Sequence, residues 1–112
     1  MDRLKIIDGR LTRGGRPFLL RGFGLGGWLL PEGYMWRFYT KCDRPRRIEA
    51  LIERLCGAEY AEGFWRRYYS LYITERDIAF IAAQGFNSVR LAINSRHLDE
   101  PDYLGRVDDC VR

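Results

Sequence analysis

An α/β chain built on parallel strands is the fold class this sequence predicts, and three observations point to it. The apolar run Phe18-Leu19-Leu20 starts like a buried strand and runs into Gly22, Gly24, Gly26 and Gly27. Two stretches with helical apolar spacing follow. A third helix then feeds straight into a second strand, Val89 to Asn94. Strand, helices and strand in that order form the βα pattern of a parallel sheet.

The elements before the first parallel strand read as a small ribbon. Leu4 to Asp8 and Arg10 to Thr12 are the arms of a hairpin, with Asp8-Gly9 as its turn. Gly14-Gly15 turns the chain again before Pro17. Residues 1–17 therefore form a β-ribbon capping something larger.

After the glycines comes a loop that Pro31 and Gly33 keep from being helical. It carries Glu32 among Trp28, Tyr34 and Trp36. In the first helix, Ile48, Leu51, Ile52, Leu55 and Cys56 share one face, started by Asp43 and Pro45 and stopped by Gly57. In the second, Ala61, Phe64, Trp65, Tyr68 and Tyr72 line one side, a stripe whose spacing suits a core face better than a sugar platform. The third is capped by Thr74 with Asp77 three residues on, stapled by Ile73 and Ile78, and ended by Gly85. Val107 and Val111 at i and i+4 mark Asp102 to Arg112 as the opening of a fourth.

Composition narrows the classes. The chain has 112 residues, enough for one small domain. No apolar run approaches the ~18 residues of a membrane span, and no secretory leader is visible, which favours a cytoplasmic location. The net charge of +4 is scattered and interleaved with acids, so nucleic-acid binding is not expected. Three widely spaced cysteines and one histidine lack zinc-site spacing and fit a reducing compartment. Neither metal nor cofactor is expected. Gly22-Phe-Gly24-Leu-Gly26-Gly27 formally matches a dinucleotide loop, but Pro31 and Gly33 interrupt the helix such a loop requires.

Arg90 carries the strongest chemical signal. It alternates with Val89 and Leu91 on a strand that should be apolar on both faces, so its guanidinium is expected to be paired with a carboxylate. Glu32 is suited to accept hydrogen bonds from sugar hydroxyls, with Trp28 or Trp36 stacking on a sugar face. Asn94, at the end of the same strand as Arg90, is a further candidate contact. His97 lies just past that strand end, where a lone histidine reads as a surface or capping residue.

At these residues the chain resembles the N-terminal part of glycoside hydrolase family 5, the cellulase family. FLLRGFGLGGWLLPE is similar to the family's first barrel strand and loop, and GFNSVRLAINSR to its second strand. The Gly-Gly-Trp version is similar to the exo-β-1,3-glucanase branch. Gly24, where the family often has asparagine, and Ala92, where it often has proline, depart from the pattern. The resemblance implies a partial (β/α)8 barrel over residues 1–112, truncated before strand three. It implies a retaining hydrolase acting on a β-linked oligo- or polysaccharide. Glu32 would bind the sugar, and Arg90 would support a nucleophile outside this chain. Neither catalytic glutamate is expected within these residues, and nothing in them indicates an oligomeric state. The alternative reading is a non-catalytic carbohydrate-binding or interaction fragment with Trp28, Tyr34 and Trp36 as its platform.

Overall fold

The structure, a computed structural model, describes residues 3–38 and 41–111. Met1, Asp2 and Arg112, which fall within the ranges predicted for the ribbon and the last helix, lie outside the described residues. So do Tyr39 and Thr40.

Three short strands open the chain: β1 (Leu4–Ile7), β2 (Arg10–Arg13) and β3 (Arg16–Pro17). They form an antiparallel sheet in the order β1-β2-β3. The Asp8-Gly9 turn is left-handed at both residues (φ 49° and 73°), the geometry that favours the Asp-Gly pair. Ile6 on β1 remains 69% exposed, so the ribbon's apolar side is uncovered among the described residues.

The first parallel strand corrects the sequence reading. It is β4 (Gly22–Leu25), not Phe18-Leu19-Leu20, whose Leu19 is 75% exposed. The reason is Asn87. Its amide nitrogen donates to Leu19 O (2.8 Å) and its Oδ1 accepts from Arg21 N–H (2.8 Å). One side chain thus takes the place of a strand beside residues 19–21. Ladder pairing begins only at Gly22, opposite Ser88.

Helices α1 (Pro45–Cys56), α2 (Ala58–Leu71) and α3 (Glu75–Ala83) then lead to β5 (Ser88–Leu91), which pairs parallel with β4. Asp43 is not the α1 cap; it pairs with Arg44 and Arg47 instead. The Arg44 hydrogen bond holds the Asp43 carboxyl down at about 2. Thr74 caps α3 as its spacing foretells, with its N–H donating to Asp77 Oδ2 at 2.8 Å. A 3-10 turn (Ser95–His97) and α4 (Pro101–Val111) close the described chain.

The core is small. Leu25, Trp28, Leu29, Ile81 and Tyr103 form it, with Tyr69, Ile73, Leu91, Leu98 and Val107 packed around. Beyond it both faces of the β4–β5 pair are open: Phe23 is 44% exposed, Val89 43%, and Arg90 is exposed too. The radius of gyration is 17.2 Å, against roughly 13 Å for a compact domain of this length. No described helix is long and apolar enough to cross a membrane.

Open sheet faces predict behaviour. Expressed by itself, the 112-residue chain is expected to bind a hydrophobic dye and to melt without a sharp transition. A cooperative, reversible melt of a monomer would contradict this.

Candidate functional site at the ends of the parallel strands

The two parallel strands run in register, Gly24 beside Arg90 and Leu25 beside Leu91. Gly24 has no side chain, and the Arg90 guanidinium lies across it. A Cβ at Gly24 would sit 3.7 Å from Nη2 and 3.8 Å from Nε. Arg90 was expected to be buried and paired. It is exposed and has no ion-pair partner among the described residues. The cause is the open sheet face: Leu91 packs on the core from the opposite side of β5, and the side that carries Arg90 is uncovered among the described residues.

Just beyond β4 the backbone bends at Gly26 and Gly27, the latter at φ 71°. A Cβ on Gly26 would meet Met35 Sδ at 3.0 Å and Glu32 Oε2 at 3.5 Å. The Glu32 carboxylate therefore folds back onto the end of β4. The two groups lie two residues apart along this segment, Arg90 at Gly24 in β4 and Glu32 at Gly26 just past its end. They come from segments 58 residues apart in sequence (90 minus 32).

Aromatic packing holds this loop. Tyr68 donates its hydroxyl proton to Gly27 O, and the Tyr72 hydroxyl would touch a Cβ on Gly27 at 3.4 Å. Burial pushes the Tyr68 phenol well above its ordinary range, so it stays a neutral donor. Trp36 packs against Tyr68 at 5.1 Å and Trp65 at 5.8 Å between ring centres. The α2 stripe thus forms the seat for the Glu32 loop and is only half-buried.

Two candidate contacts are buried side chains. Trp28 is 7% exposed, and its indole N–H donates to Tyr69 O at 2.8 Å. It is a core side chain whose one polar atom is satisfied, with no free face for a sugar. Asn94 is 6% exposed and starts the 3-10 turn, its Oδ1 accepting from Arg96 N–H at 3.3 Å. Its own N–H donates to the Tyr103 hydroxyl (2.7 Å), which in turn donates to Leu29 O (2.6 Å). Asn94 ties β5's exit to the core, and its buried Nδ2 has no partner among the described residues. With Trp28 buried and Trp36 packed, Tyr34, 68% exposed, is the freely exposed member of the predicted platform.

The sequence reading also missed a constellation. His97 joins Glu100 (2.7 Å) and Glu49 (3.1 Å), and Arg96 reaches the other oxygen of Glu49 (3.1 Å). Glu49 lies on α1, 48 residues from His97, so no local pattern announces the pair. The His97–Glu100 spacing of three was visible. No described group of three or more His, Cys, Asp or Glu side chains converges as a metal site.

Comparison with known proteins gives this geometry a context. The chain is 33% identical over 96 residues to a beta-xylosidase of Phanerodontia chrysosporium, an alignment covering 86% of this chain and 19% of that protein. It is 32% identical over 101 residues to glucan 1,3-beta-glucosidase I/II of Saccharomyces cerevisiae, covering 80% and 22%. Its relatives are glycosidases. A glucan 1,3-beta-glucosidase of Lachancea kluyveri, 35% identical over 97 residues, covers 77% of this chain and 22% of its own length. The chain thus spans about a fifth of the length of the curated relatives it matches. No family model and no solved structure matches it.

Proposed function

We propose that this chain is a segment of a retaining glycoside hydrolase of family 5. In this reading β4 and β5 are the first two strands of a (β/α)8 barrel, and β1 to β3 cap it. The substrate is a β-linked glucan or xylan. The observation that carries the reading is that Arg90 lies beside Gly24 in β4 and the Glu32 carboxylate beside Gly26, just past the strand's end. Ends of parallel strands are where barrel enzymes assemble their sites. The similarity to glycosidases over most of the chain supports it, as do the open faces of the β4–β5 pair.

Each residue then has a task. Arg90 offers a planar fork of N–H donors with no carboxylate on it among the described residues, suited to orient a glutamate from outside this chain and to keep it ionised. Glu32 accepts hydrogen bonds from sugar hydroxyls. Trp36, seated on α2, fixes the Glu32 loop. In this reading the nucleophile and the acid/base, the two carboxylates about 5 to 5.5 Å apart that retaining hydrolysis needs, come from outside this chain.

The test is hydrolysis of aryl β-glucosides, aryl β-xylosides and soluble β-1,3-glucan by the full-length protein, with NMR of the first-formed anomer. Net retention is expected; inversion or no turnover would overturn the reading. Glu32→Ala is expected to raise KM about tenfold, the loss of one charged hydrogen bond, with a smaller change in kcat.

A further inference from the structure

We propose that His97 is a pH-operated clasp that holds helix α1 to the exit of β5, and through α1 sets where the Glu32 loop lies. The argument begins with donors and acceptors. Nδ1 of His97 faces a Glu100 oxygen at 2.7 Å and Nε2 faces a Glu49 oxygen at 3.1 Å. Carboxylate oxygens only accept. A neutral imidazole has one N–H, so it can serve one of these partners and must turn a lone pair toward the other. Both contacts are made only by the imidazolium.

The surroundings bear this out. The His97 side chain is 17% exposed and Glu49 21%, so the pair is shielded from much of the solvent. The His97 ring lies 5.4 Å from that of Tyr103. A cavity of about 280 Å³ adjoins them. From α1 it receives Glu49, and Arg96 reaches the same carboxylate. From α2 it receives Glu62, held by Arg66 at 2.8 Å, together with Tyr69. Asp102, Tyr103 and Arg106 enter from α4, and Glu100 from just before it. Acids outnumber the arginines around the ring. Burial works against a charged His97, but its hydrogen bonds to Glu100 and Glu49 outweigh it and raise its pKa.

The sign follows from that direction. A histidine whose folded value is raised contributes its stability fully below the ordinary value of ~6.5 and loses it as pH rises through the folded value. On deprotonation the His97–Glu49 link or the His97–Glu100 link must break. With the remaining N–H on Nδ1, toward the nearer Glu100 oxygen, the Glu49 link is the one lost and Arg96 alone then holds Glu49. Glu49 sits one residue after Ile48, the fully buried residue of α1, and α1 follows the loop that carries Glu32 and Trp36. Gly33 N–H of that loop donates to Asp43 O (3.3 Å) in the segment leading into α1, so loosening α1 weakens one of the loop's holds.

The experiment is an NMR titration of His97 in the full-length protein, its resonance assigned by loss in His97→Gln, with hydrogen exchange in α1 followed over the same range. The expected midpoint lies above ~6.5. Glu49→Gln and Glu100→Gln should each lower it. Exchange in α1, corrected for its intrinsic pH dependence, should rise through the same midpoint and become flat in His97→Gln. If His97→Gln does not fold, Glu49→Gln supplies both readouts. A midpoint at or below ~6.5, or one that neither glutamine variant moves, overturns the clasp. The effect on Glu32 rests on the glycosidase reading and should appear as a KM that rises through the midpoint. The NMR and exchange results decide the clasp even if no glycosidase activity is found.

Discussion

Replacing Arg90 by lysine in the full-length protein is expected to cut kcat by about 100-fold or more, a loss of ~3 kcal/mol of transition-state stabilisation. The guanidinium lies over Gly24, exposed and without an ion-pair partner among the described residues. Unpaired in this way, it contributes little to holding the 112 residues together. Its value lies in what it meets once the rest of the protein is present. Lysine keeps the charge but offers a point donor in place of a planar fork, so it cannot fix a carboxylate's rotamer in the same way. KM should change less than kcat, because Arg90 is assigned to the nucleophile and not to the sugar. Arg66→Lys is the control. That arginine makes an exposed pair with Glu62, the kind worth little, and kcat should stay within about twofold. Near-normal turnover of a well-folded Arg90→Lys protein would make Arg90 a structural residue and remove its assigned role.

The pattern of Arg90 and Glu32 shows what the sequence could and could not convey. Helix boundaries were readable because their signals are local: Pro45 opens α1, Gly57 closes it, and Thr74 with Asp77 opens α3. The parallel pairing of β4 with β5 was readable from element order. The start of β4 was not. It depends on Asn87 reaching back 66 and 68 residues to Arg21 and Leu19, and no window of residues records that. The burial of Trp28 was hidden likewise, because its indole partner is the carbonyl of Tyr69 on α2, 41 residues away. Arg90 shows the converse case. The sequence argued that a strand arginine between apolar neighbours must be buried and paired. That holds for a closed sheet, and the β4–β5 pair of the described residues is open.

The loop that carries Glu32 supplies the second large effect, and it turns on one atom. Gly33→Ala is expected to destabilise the full-length protein by roughly 2–4 kcal/mol, the upper range for forcing an atom into a packed site. A Cβ at Gly33 would lie 2.0 Å from Cys42 O and 2.7 Å from Asp43 Cα. Both are backbone atoms, so no side-chain rotation relieves the clash. Gly33 N–H donates to Asp43 O at 3.3 Å, and Phe38 N–H donates to Gly33 O at 2.9 Å. The glycine thus clips the Glu32 loop against the segment that leads into α1. Pushing the two backbones apart breaks that clip and displaces Cys42, which is 7% exposed. It also shifts Glu32, the immediate neighbour. A misplacement of ~1 Å in a binding group can cost about 100-fold, so KM should rise even under conditions where the variant stays folded. Gly63→Ala separates this steric effect from any general effect of glycine replacement. That site lies inside α2 with nothing within 4 Å of the added Cβ. It should gain up to ~1 kcal/mol from helix propensity and leave KM unchanged. Thermal melts and KM of the two variants decide the matter. A Gly33→Ala protein that melts with the wild type and binds substrate normally would mean that the close approach of residues 33 and 42 does not hold the loop in place.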